Sequence, residues 1–213
     1  MRSRKTLWFR IVVHIAALLP LLVLVWGYWQ DRLGPDPIGE AIRRTGRYAI
    51  IFLILSLVPT AVRLVTGSGI LLKIRRILGL YAFVYAALHF LAFAWLDYGF
   101  DLSFLLPALI DGRRTLLGLA ALIMLIPLVI TSTNGWIRRL GKNWKRLHRL
   151  AYLASVLAVL HYVWSFKELR VAPVVAGVFL LSLLVIRVPP IADLLERRGR
   201  RKRLQDDDPD SKC

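Results

Sequence analysis

ILGLYAFVYAALHFLAFAWL, residues 77–96, decides what kind of chain this is. It is an unbroken uncharged run of about the length, ~20 residues, that an α-helix needs to cross a hydrocarbon core. It carries one imidazole, His89, deep within it. Working outward, five further stretches reach or approach the same length: Leu7–Trp29, Tyr48–Val65, Thr115–Thr133, Leu150–Phe166 and Val171–Ile186. The last two are short, and Lys167, Arg170 and Arg187 can snorkel to extend them. The expectation is an all-α integral membrane protein, a six-helix transmembrane bundle. Arg2, Arg4 and Lys5 ahead of the first stretch look like the start of a secretory signal. Its apolar run is too long for one and no small-residue cleavage site follows, so the span is expected to be retained.

Composition agrees. Of 213 residues 57% are hydrophobic and 20% charged, with a mean hydropathy of +0.59. This is more apolar than a soluble domain sustains, which excludes an ordinary soluble enzyme. The net charge of +17 is not a nucleic-acid signature, because the basic residues are scattered between apolar runs rather than gathered on one folded face. The single cysteine, Cys213, allows no intramolecular disulfide. No long-period repeat, phosphate-binding glycine loop or second domain is evident.

Basic loops stay on the cytoplasmic side. The N-terminus, the 63–76 and 134–149 segments and the tail hold 22 of the 30 Lys and Arg residues, so both termini are expected to be cytoplasmic. Residues 188–213 read as a basic cytoplasmic tail, able to lie on anionic lipid, with an acidic, disordered end.

All 13 acidic residues lie outside the spans or at their ends, Asp97 being the nearest. Ion-coupled transport usually needs a carboxylate at mid-membrane depth, and a carboxylate hydrolase needs a pair of them, so both readings lose support. Histidine remains. His89 and His161 each lie 12 residues from the cytoplasmic start of their spans, hence ~18 Å deep on parallel-running helices. Two neutral imidazoles at one depth suit a heme, which takes two axial nitrogens inside an apolar helical bundle. His148 lies 13 residues before His161, at the membrane boundary, about 140° round a straight helix from it; a solvated interfacial residue and a ligand are both open for it. His14 is open as a ligand, a quinone contact or a packed core residue.

The runs IRRILGLYAFVYAALHF (74–90), TSTNGWIRRLGKNWKRLHRLAYLASVLAVLHYVWS (131–165), LLPLLVLVW (18–26) and LGPDPIGEAIRRTGRYAI (33–50) resemble the MsrQ (YedZ) family. That family supplies the heme-binding membrane subunit of a periplasmic methionine sulfoxide reductase, within the ferric-reductase-like transmembrane group. The resemblance covers about 7–187, so residues 1–187 are expected to form a ferric-reductase-like heme-binding domain. It implies heme b held by His89 and His161, with His148 binding a second heme or sharing the first. The wider group has a histidine 14 residues before the outer third-span ligand; here that position is Arg75. A guanidinium has no lone pair to offer iron, so one heme is the expected count, with Arg75 and His14 as heme or quinone contacts.

The resemblance also implies FMN, electrons from the quinone pool, a multi-pass location in the bacterial inner membrane, and an MsrP-type periplasmic partner that does the catalysis. Thr131, Ser132, Thr133 and Asn134 carry donors that suit a flavin phosphate; a helix end with a lipid-headgroup patch reads the same way. Two rivals stand beside this electron-transfer reading: a stand-alone ferric or quinone reductase, and a cofactor-free membrane scaffold or transporter.

Overall fold

The computed structural model describes residues 4–166 and 170–194, the side chains of 4–6 excepted. No strand occurs among them. In chain order the helices are α1 Arg4–Trp29, α2 Pro37–Thr66, α3 Leu72–Leu91, α4 Leu102–Ile110, α5 Arg113–Ile130, α6 Asn134–Leu140, α7 Lys142–Leu147, α8 Leu150–Trp164 and α9 Val171–Val185. A π-helical segment, Ala92–Asp97, continues α3. Five runs are long and apolar enough to cross a membrane: Leu7–Trp29, Pro37–Thr66, Leu72–Asp97, Arg113–Ile130 and Lys142–Trp164. The sixth expected span is α9, a 15-residue apolar helix. Residues 189–194 begin a further helical stretch; the rest of the expected tail, together with Lys167, lies outside the described residues.

Several boundaries differ from the hydropathy reading, each for a local reason. α2 begins at Pro37 rather than near Tyr48, because Asp36 caps it by accepting from the Gly39 N–H at 2.8 Å and proline occupies the first turn. Glu40, one turn in, pairs with Arg43 at 3.0 Å and Arg44 at 2.7 Å. The 97–114 connection contains α4, capped by the Asp101 carboxylate on Ser103 N–H. The 134–149 connection folds into α6, capped by Thr133, and α7. A turn at His148 and Arg149 separates α7 from α8, so the run carrying both His148 and His161 is not one uninterrupted α-helix. The chain nonetheless runs on, His148 N–H reaching the Trp144 carbonyl at 3.0 Å.

Helix association in lipid has no hydrophobic drive between helices and relies on close packing of small residues. Ala17, Ala82 and Ala154 are at most 1% exposed at the centre of the main core, with Phe52, Leu53, Leu78, Tyr85, Leu125 and Leu128 around them. Tyr85 ties α3 to α1 through a 2.7 Å hydrogen bond to the Ala17 carbonyl. A second cluster joins α2, α8 and α9 through Leu57, Val159, Leu180 and Leu183. Most of the other large apolar side chains of α1 and α9 point outward instead, with Trp29 80% and Val171 79% exposed, as lipid-facing surfaces do.

Candidate functional site

A partly open cavity of about 440 Å³ lies between α2, α3, α5 and α8. His89 on α3 and His161 on α8 face it, with ring centres 6.0 Å apart and planes at 72°. Each imidazole is anchored. His89 Nδ1 lies 2.9 Å from the Ile42 carbonyl of α2, and His161 Nδ1 lies 2.7 Å from the Arg114 carbonyl of α5. A carbonyl oxygen only accepts, so in both rings Nδ1 carries the proton and Nε2 keeps the lone pair. No hydrogen bond to either Nε2 occurs among the described residues.

His89 and His161 would hold a metal-centred group between them, each offering one Nε2 at the ring separation of 6.0 Å. Among the described residues no three His, Cys, Asp or Glu side chains gather into a metal site. A heme, whose macrocycle brings its own four nitrogens, would need from the chain only two such imidazoles. The wall is mostly apolar, with Leu53, Ala82, Leu122 and Leu125 toward the core. Arg43, Arg47, Arg114 and Arg170 line the end formed by the starts of α2, α5 and α9. Arg43 pairs with Asp36 and Glu40; Arg170 lies over the Phe166 ring at 4.9 Å.

The other sequence candidates lie elsewhere. His148 stacks on Trp144, centroids 3.9 Å apart, and bonds the Trp144 carbonyl at 3.2 Å; it does not line the cavity. Arg75 donates to Thr60 at 3.1 Å. His14 meets the Tyr81 hydroxyl at 2.9 Å between α1 and α3. Thr131 and Ser132 donate to the Pro127 and Leu128 carbonyls, both at 2.6 Å. Thr133 caps α6 and Asn134 accepts from Arg76 at 3.0 Å.

Sequence reasoning missed Gly46 and Gly118, which back the two imidazoles. A Cβ on Gly46 would come 2.9 Å from His89 Nδ1, and one on Gly118 2.9 Å from His161 Nδ1. A signal existed. Each histidine follows its carbonyl partner by 47 residues, and LGLYAFVYAALHF (78–90) matches LAYLASVLAVLHY (150–162) at Leu, Ala, Val, Ala, Leu and His. The chain thus carries a short internal repeat, not obvious from composition: the His89 segment of α3 with its α2 carbonyl and the His161 segment of α8 with its α5 carbonyl correspond at an offset of 72 residues.

The sequence model of the family described as "Ferric reductase like transmembrane component" matches residues 45–159. The protein-methionine-sulfoxide reductase heme-binding subunit MsrQ of Xanthomonas campestris pv. campestris (strain 8004) is 41% identical over 189 residues, 85% of this chain and 87% of its own. The MsrQ of Herminiimonas arsenicoxydans is 41% identical over 180 residues, 83% of each chain. No solved structure matches.

Proposed function

From the premise that this chain belongs to the MsrQ family of heme-binding subunits of protein-methionine-sulfoxide reductase, we propose that it is the membrane electron-transfer subunit of such a system. In this reading it draws electrons from the quinone pool and hands them to an MsrP-type periplasmic reductase that repairs methionine sulfoxide. The observation that carries the proposal is the His89–His161 pair, 6.0 Å apart across an apolar cavity. Heme b, when bound there, supplies the one-electron redox chemistry.

The chain's own residues do the rest. His89 and His161 present Nε2 lone pairs, and their Nδ1–H bonds to carbonyls fix each tautomer and raise ligand basicity. The apolar wall excludes water and stabilises the lower net charge. Arg47, Arg114 and Arg170 pair with no carboxylate among the described residues and face the cavity end where the propionates of a heme would be neutralised. One heme is the count this reading takes, since His148 and Arg75 are engaged away from the cavity. An FMN at residues 131–134 would have to displace hydrogen bonds those residues already make. Six spans and cytoplasmic termini in the bacterial inner membrane complete the proposal, placing the arginine-lined end of the cavity on the periplasmic side, toward the partner.

The test is spectroscopic and then kinetic. The detergent-purified protein should show a low-spin b-type spectrum with one heme per chain, and the dithionite-reduced form should be reoxidised on mixing with the MsrP-type partner and a sulfoxide. A colourless protein that added heme does not recolour overturns the reading, and rapid reduction of ferric chelates without any partner favours the stand-alone reductase.

A further inference from the structure

The two histidine anchors are one device used twice. In each half of the chain a helix carbonyl, Ile42 or Arg114, accepts from an imidazole Nδ1. Four residues later, on the same helical face, stands a glycine, Gly46 or Gly118. In a helix the carbonyl of residue i−4 points toward residue i, and the Cβ of residue i would shield it from a ring approaching sideways. The contact distances repeat: a Cβ would meet His89 at Nδ1 2.9 Å and Cε1 3.0 Å, and His161 at the same two atoms at the same 2.9 and 3.0 Å. The other tight helical glycines would meet something else, Gly27 the flexible end of Leu33 at 3.0 Å and Gly39 the Asp36 carboxylate that caps its helix. Gly79 would meet Ser56 only at 4.0 Å and Gly177 would meet Val159 at 3.7 Å, both ordinary contacts.

We infer that Gly46 and Gly118 are positioning residues for the two axial imidazoles: the missing side chain at each lets its histidine reach a helix carbonyl, and the pair, related by the internal repeat, sets the ring orientation on both faces of the bound group. The inference rests on the heme reading above. It accounts for the 72° between the ring planes, since each plane is dictated by its own helix carbonyl and not by the opposite ring. A methyl group at either position leaves the ring two choices, to move several tenths of an ångström or to give up its carbonyl. Either one changes the ligand field without removing the ligand.

The experiment compares wild type with Gly46→Ala, Gly118→Ala and the control Gly79→Ala, alongside His89→Ala and His161→Ala. Alanine is the better helix former, so loss of helix is not the expected failure. Both cavity-side variants should hold heme about tenfold more weakly, or retain it with a shifted low-spin EPR signal and midpoint potential, while Gly79→Ala matches wild type. Wild-type heme content, EPR signal and potential in both cavity-side variants would overturn the inference. A second measurement needs no variant: in the reduced, diamagnetic wild-type protein labelled with 15N-histidine, two Nδ1 protons should show the downfield shifts of strong hydrogen bonds. Weakly bonded Nδ1 protons on both ligands would also overturn it. Unchanged heme in His89→Ala and His161→Ala is a different result, which removes the heme reading itself.

Discussion

At the residue scale the site depends on two side chains whose neighbours leave them one protonation pattern. Because Ile42 and Arg114 accept from Nδ1, His89 and His161 would meet the heme iron of the proposed function without first shedding a proton. Replacing either by alanine should abolish stoichiometric heme binding, measured as heme per purified chain. His148→Ala should leave the low-spin signal of that heme in place, because His148 is stacked on Trp144 outside the cavity; loss of the signal in this variant would show that His148 shares the site. The candidates were legible in the sequence as residue types at matched depth. Their hydrogen-bond partners were not, since a contact between residues 47 apart leaves no trace in local composition.

Among elements, the bundle is held by small residues at helix crossings. Ala154 is fully buried and Ala82 1% exposed, so a leucine at either position has no space to enter. Ala82→Leu and Ala154→Leu should each destabilise the detergent-solubilised protein by about 1–3 kcal/mol, read as a lowered thermal midpoint. The start of α2 carries a pH dependence. The Gly39 N–H bond, and then the Arg43 guanidinium, hold the Asp36 carboxyl below its ordinary value. A group depressed in this way contributes stability that is present above its unfolded pKa and lost as pH falls through the folded one. Amide protection factors over residues 38–44, corrected for the intrinsic pH dependence of exchange, should therefore fall below about pH 4, where carboxylates of ordinary pKa take up their protons. Asp36→Asn, which keeps a capping oxygen, should flatten that profile. Hydropathy missed the start of α2 and α6, polar segments that owe their beginnings to the capping side chains of Asp36 and Thr133, and it missed α4 and α7 because nine and six residues are too short to register as spans.

On the scale of the whole molecule, the proposal requires a sidedness that fusion reporters can read. A cytoplasmic reporter should be active at both termini and a periplasmic one in the 97–114 connection; the opposite pattern would put the arginine-lined end of the cavity on the wrong side for a periplasmic partner. By itself the sequence determined the class of protein, the matched spacing of His89 and His161 within their apolar runs, the placing of the acidic residues outside those runs or at their ends and, through its motifs, the family. These are properties of composition and spacing, which a helix of fixed rise converts directly into depth. Only the tertiary structure decided which histidines share a cavity, which tautomer each adopts, that His148 stands apart on Trp144, and that Gly46 and Gly118 make room for the rings. Those facts depend on how helices distant in the chain are rotated against one another, and rotation is set by packing and by backbone carbonyls that every residue possesses, so no residue type announces them.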